Sequence, residues 1–359
     1  MYHVLFNAIE CEVDIGINHF SFHVKAGQPF GGIHSINSGS KDVDIIHFQH
    51  GEGVRYGYWL NPGQLYYCTY NTETEQYELF EDTDEERYDA RFHELQKRGL
   101  LVQYPRIDEN NIWDELTNYV KWDTISRIYD VPKGTHFAHM DSSMSTVEES
   151  ERLRTHIDGT TENENPLNYT LVNFKSNEAL RPEHRMHDFY DKSYYLYEVV
   201  LQRASMLGSL NNYLSELQVS FLNCIMFANY GSSMQWHNLV ELLLSSDRFD
   251  RFEELDELLT TEFQNFPQDY VDMLVNTECW TRMMSTHQSH LPKLSTLFKT
   301  HPTFKQLFPK DVVENRARQE SEGDSDSDVD PYQSDTTIEM NATSEDEDEP
   351  TLASGIFHQ

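Results

Sequence analysis

Basic residues are scarce in this chain. Lys and Arg number 27 among 359 residues, against 61 Asp and Glu, for a formal net charge of -34. Proteins hold nucleic acid largely through Lys and Arg that displace counterions from phosphate, and the longest basic run here is the pair Lys97-Arg98. A surface this negative excludes general RNA or DNA binding and disfavours anionic membranes. Long apolar runs are missing too. No stretch approaches the ~18 apolar residues of a membrane span, and the start, Met1-Tyr2-His3-Val4-Leu5-Phe6, reads as no secretory leader. The four cysteines, Cys11, Cys68, Cys224 and Cys279, stand far apart without a C-x-x-C. That pattern predicts reduced thiols in an intracellular protein. The glycine-rich stretch Gly27-Gln28-Pro29-Phe30-Gly31-Gly32 matches neither phosphate-binding loop signature, so a strand-connecting turn is expected there.

Core-forming residues are plentiful: 38% are hydrophobic and 13% aromatic. Runs at 12–16, 19–24, 43–50, 54–60, 64–70 and 76–80 are short, rich in aromatic and β-branched residues, and punctuated by Gly, Pro and Asn. They predict strands of an antiparallel meander or small sandwich. A helix is expected over 84–98 with Gly99 at its end, and another from Asn111 with Ile112, Leu116, Tyr119 and Val120 on one face. The segment 148–166 has the polar composition of a flexible linker, and 167–174 alternates as a strand does. Beyond Arg181-Pro182 the period becomes helical. A helix begins around Tyr194, Tyr195, Val199 and Leu201. The run 213–230 is apolar on most sides and should be a central, buried helix. Gly231 is expected to break it, with Ser232 or Ser233 capping the next helix. Further helices are expected over 249–266, after Pro267, and within 291–308. From Asp311 to Glu349 there are fifteen acidic residues against Arg316 and Arg318, the composition of a disordered tail. The reading is therefore α+β: an antiparallel β-rich domain with terminal helices over 1–147, a flexible linker over 148–166, a mainly α-helical domain over 167–310, and a disordered acidic tail over 311–359.

Few side chains have the spacing that chemistry needs. His47 and His50 lie three apart on a strand and should point to opposite faces, which disfavours a shared metal. His287 and His290 share a helix face without a third ligand nearby. Ser233 and His237, at i and i+4, are helix neighbours. A nucleophilic serine also needs a group orienting the base and an oxyanion hole, and no G-x-S-x-G elbow is present. The aromatics Tyr56, Tyr58, Trp59, Tyr66 and Tyr67 lack interleaved Lys or Arg and are expected in the core. No catalytic residue, cofactor site or metal site is expected. Ser321, Ser325, Ser327 and Ser344 each precede an acidic residue by three positions. They are candidate phosphorylation sites of an acidophilic kinase, with a merely solubilising tail as the other reading.

Segments spread along the chain resemble the AAR-two family of cistron-splicing factors. They are DIGINHFSFHVKAGQPFGGI from Asp14, IHFQH from Ile46, RYGYW from Arg55, YPRIDE from Tyr104, MDSSMSTV from Met140, LNYTLVNFKSNEALRP from Leu167, DKSYYL from Asp191 and FANYGSSMQWHNLVELLLSS from Phe227. The resemblance implies a β-rich domain and a helical domain joined by a flexible linker. It also implies a non-enzymatic assembly factor of the U-five small nuclear ribonucleoprotein, monomeric when free and present in cytoplasm and nucleus. The implied partner is the RNase H-like and Jab/MPN-like region of the PRP-eight scaffold, from which the factor holds off the BRR-two helicase and RNA. An acidic protein suits the shielding of a basic, RNA-binding partner. Arg55, Arg181, Asp191, Lys192 and Gln235, read as exposed within the matched segments, are the candidate contacts. Ser245 and Ser246 end a helix, where an added phosphate opposes the helix dipole and would favour release. The alternatives are a serine-type hydrolase centred on Ser233 and His237, or a generic acidic chaperone for basic proteins driven by the tail.

Overall fold

The computed structural model describes residues 1–36, 43–105, 111–156 and 165–308. Two five-stranded sheets form the first half. One has the order β8 (Gln76–Glu81), β7 (Tyr66–Asn71), β1 (Tyr2–Phe6), β4 (Gly32–Ile36), β9 (Leu101–Gln103); the other has β10 (Phe137–Asp141), β6 (Tyr56–Leu60), β5 (Asp44–Gln49), β2 (Val13–Ile17), β3 (Phe20–Val24). The second sheet is antiparallel throughout, whereas in the first β1–β7 and β4–β9 run parallel.

Alternation along the strands sorts side chains into three layers. Val4, Phe6, Ile46, Phe48, Tyr56 and Tyr58 point between the sheets. Leu5 faces the other way, onto Tyr88 and Leu95 of α1 (Glu85–Lys97). Val43, Ile45, Trp59, Ala138 and Met140 face outward from the second sheet into the helical half. Both faces of that sheet are therefore covered, which is why β5 and β6 read as almost continuous apolar runs.

The helices α2 (Ile112–Leu116) and α3 (Trp122–Ile128) lie on this outer face. They share one core with α6 (Leu210–Phe227), α7 (Tyr230–Leu244), α8 (Phe252–Gln264) and the shorter α9 (Val271–Leu274), α10 (Thr277–His287), α11 (Pro292–Thr300) and α12 (Pro302–Leu307). The two halves are thus packed through a continuous apolar interior. Between them, α4 (Val147–His156) occupies the first part of the expected linker, and 157–164 lie outside the described residues. Past it come α5 (Arg185–Tyr190) and a π-helical segment, Tyr195–Val200.

Two local expectations are corrected. The run 167–174 joins no sheet; it makes a single bridge, Thr146 with Leu167. Side chains satisfy its backbone instead: Thr170 N donates to Glu216 at 2.6 Å and Asn173 N to Tyr195 Oη at 2.9 Å. At the α6–α7 junction the break is Ala228, at φ 50°, and the cap is Asn229, whose side chain accepts from Ser232 N. Gly231 is instead the second residue of α7. A Cβ there would come within 2.5 Å of Glu149 and 2.8 Å of Thr146, so a glycine lets α7 press against the start of α4.

Candidate partner-binding surface

The centre of the molecule is α6, whose buried face is unusually polar. Asn223 Oδ1 accepts from Trp59 Nε1 and from Tyr129 Oη, each at 2.9 Å, and its amide donates to Tyr169 Oη. Gln218 accepts from Tyr119 N and donates to Asn118, and Ser215 donates to Thr124. Glu216, fully buried, accepts from Arg127 at 2.6 Å, from Thr170 N and Oγ1, and from Gln235 Nε2 at 3.0 Å. Charge and every acceptor are matched, as a buried carboxylate requires. These bonds join the β half, the 165–174 stretch and α7 to one helix.

The five candidate contacts all have partners within the chain. None is exposed: Arg55, Arg181 and Asp191 are half-buried, and Lys192 and Gln235 are only 7% and 5% exposed. Gln235 donates to Thr170 O and to Glu216. Arg181 grips Asp188 through two bonds of 2.9 Å, holding that carboxyl below the usual range, and lies over the Tyr194 ring. Arg55 Nε donates to Gln49. Asp191 accepts from Ser193 N and Asp247 N, and Lys192 N donates to Ser245 O at 2.7 Å, so together they bolt the end of α7 to the turn after α5. Lys192 Nζ donates to Phe189 O between two phenyl rings, and its burial lowers its pKa. Polarity in the sequence indicated a surface; in the structure Lys192 and Gln235 are buried and the other three are half-buried in joints within the chain.

Ser246 belongs to the same bolt. It is buried and donates to Leu242 O at 2.7 Å, so a kinase reaches it only once the end of α7 opens; Ser245, which caps α7, is half-buried. Ser321, Ser325, Ser327, Ser344 and the whole tail lie outside the described residues.

Ser233 and His237 do meet, but not as nucleophile and base. The Ser233 hydroxyl donates to Leu274 O. His237 Nδ1 lies 2.7 Å from Ser233 O and donates to it, while Nε2 accepts from Asn276 N at 3.0 Å. Both ring nitrogens are occupied, and burial pushes the pKa down to about 4. This imidazole is a neutral joint between α7 and the turn before α10. His47 is comparable. Its Nε2 bonds Asn18 O, burial lowers its pKa to about 3, and its ring lies over Gly16 with Gly57 on the other neighbouring strand. His50 turns elsewhere, to Tyr56 Oη at 2.8 Å. His287 and His290 flank Phe252, His290 stacking on its ring at 4.4 Å. Among the described residues no three His, Cys, Asp or Glu gather in a metal-binding group.

An open face does exist on α7, and the sequence reading passed over it. Tyr230, Met234 and Asn238 recur every four residues on the one side of α7 that is not fully buried. They form a wall of a concavity of about 450 Å³, opposite Met273 and Glu278. Tyr230 and Met273 are 59% and 60% exposed. The signal was available: once the buried positions of FANYGSSMQWHN are assigned to a core, what remains is this stripe.

Family comparison separates the same two halves. A family model described as the AAR2 N-terminal domain matches residues 2–130, and one described as the AAR2 C-terminal repeat region matches 169–322. A similar protein is the A1 cistron-splicing factor AAR2 of Saccharomyces cerevisiae, 36% identical over 371 aligned positions that cover 99% of both chains.

Proposed function

The chain belongs to the AAR2 family of splicing factors, and from that premise we propose that it is a non-enzymatic assembly factor of the U-five small nuclear ribonucleoprotein. In this role it binds the RNase H-like and Jab/MPN-like region of the PRP-eight scaffold and keeps the BRR-two helicase and RNA away until maturation. The carrying observation is the 36% identity sustained over 99% of the chain to a protein named as a cistron-splicing factor. The packing supports the reading. A body built around one polar ligature presents a fixed shape, and its charge of -34 suits a basic, RNA-binding partner. The hydrolase alternative loses its base, because both nitrogens of His237 are engaged. Such a factor works in the cytoplasm and the nucleus, and the tail serines are where an acidophilic kinase would add charge.

The test is reconstitution of the full chain with a recombinant C-terminal fragment of the scaffold. The expected result is a stable complex on size exclusion that helicase added afterwards does not displace. Failure to associate at micromolar concentration refutes the proposal. Removing 311–359 separates it from the charge-driven chaperone, which loses binding where a shape-driven factor keeps most of it.

A further inference from the structure

The groove beside α7 has a definite chemistry. Its mouth is apolar: Tyr230 on one side and Met273 on the other are large, exposed and otherwise uncovered. Deeper in, Glu241 is already held by Arg282 and by the Cys279 thiol. That leaves Glu278 and Asn238. Neither makes a side-chain hydrogen bond or ion pair among the described residues, and both line the groove. Among the lining residues Arg282 is the one Lys or Arg, and it is engaged by Glu241, so Glu278 is left as the unpaired charge of the groove. A concave, partly apolar site focuses the field of such a charge.

Two other concavities do not share this combination. The one beside α4 is only about 100 Å³, and its Glu148 and Glu149 are engaged by Arg152 and by Thr146 N. The one along α8 pairs Glu257 with Lys293 and has no large exposed apolar residue at its edge.

We infer that the α7 groove receives an arginine or lysine side chain of a basic protein segment, its aliphatic stem between Tyr230 and Met273 and its cationic head at Glu278 and the Asn238 amide oxygen. Long cationic side chains have this divided character, an apolar stem and a charged tip, and an aromatic ring at the mouth adds attraction for the cation. The inference rests on the reading that this chain works by binding protein, and it names where on the surface that happens.

Two arms test it. In the first, the full chain carrying ¹³C-methyl methionine is titrated with a short Arg-Leu-Arg peptide and with its citrulline counterpart. The Met234 and Met273 methyls should shift saturably with the arginine peptide alone, and Glu278→Lys should abolish the shift. Methyls that stay still at millimolar peptide overturn the inference. In the second, the scaffold fragment is titrated with wild type, Glu278→Lys and the double variant Tyr230→Ala, Met273→Ala. All three replaced positions are exposed, so the fold is expected to survive. Each variant should bind about tenfold more weakly. Equal affinity for wild type and both variants also overturns the inference. A fragment that ignores wild type, while the arginine peptide still shifts the methyls, refutes the proposed function and leaves the groove assignment standing.

Discussion

Two interiors of this protein are equally buried and differently filled. Between the sheets lie rings: Phe48 stacks on Tyr77 at 5.3 Å and on Tyr56 at 5.4 Å, with Phe6 edge-on at 6.1 Å. Polar groups there form small clusters: Asn18 and Asp44 bond each other and Tyr104 and Tyr2, and Tyr56 Oη meets His50 and Tyr77 N. Around α6 the buried face instead carries Ser215, Glu216, Gln218 and Asn223, each partnered by a group from a distant part of the chain. Apolar packing rewards any arrangement that fills space. Directional bonds in a low-dielectric interior reward one arrangement and penalise the rest. The sandwich is therefore closed by volume, and the junction between halves is set by hydrogen-bond geometry.

The largest expected effect breaks that junction. Glu216→Ala takes from Arg127, Thr170 N and Gln235 the carboxylate they share, and should cost about 3–5 kcal/mol. Because β6 and α7 both attach to α6, urea unfolding followed by tryptophan fluorescence and by far-UV circular dichroism should shift together. A loss below about 1 kcal/mol would mean that the directional bonds add no more than ordinary packing.

Next in size is a pH effect on the helical side. His237 is neutral when folded, its pKa lowered by burial from 6.5 to about 4. Below pH 6.5 the unfolded chain takes up a proton that the folded chain refuses. Stability contributed by this group is complete above 6.5 and falls as pH drops toward 4, by roughly 3 kcal/mol in all. His237→Asn should remove that dependence. The measurement is the difference in urea midpoint between wild type and variant across this window, and parallel curves contradict the assignment.

The smallest effect probes the sandwich. In the register Gly16–His47–Gly57, a Cβ on residue 16 would sit 1.8 Å from the His47 ring. Gly16→Ala should cost about 1–3 kcal/mol through overpacking. In a His47→Ala background the same change should cost little, and a thermal-denaturation double-mutant cycle reads the coupling. Additive losses would place the glycine requirement elsewhere.

Much of the fold was legible because it follows period. β2, β3, β5, β6, β7 and β8 alternate or run apolar between turn residues, and α6 and α8 carry helical spacing. β1 was missed because Tyr2–Phe6 is buried almost throughout and shows no alternation. β4 contains Gly and Ser, and β9 is three residues long. The α6–α7 elbow left no signature, since it depends on Ala228 adopting a left-handed conformation that Gly more commonly supplies. The surface was the less legible part. Composition reports that Lys192, Gln235 and Asp191 are polar, and only tertiary structure reports that their partners lie within the chain. Tyr230 and Met273 carried the opposite message, apolar residues left facing water.

The outer face of the second sheet has a consequence for synthesis on the ribosome. Ile45, Trp59 and Met140 share their cover between α2 and α3 and the later helices, and it is completed only by α6, which ends at Phe227. At ordinary translation speed roughly five to fifteen seconds separate the emergence of Met140 from that of Phe227. For that interval part of this apolar wall lacks its final cover. It is a waiting period in which a holding chaperone gives the greatest benefit, and in which a ribosome stalled before α6 would release an aggregation-prone fragment.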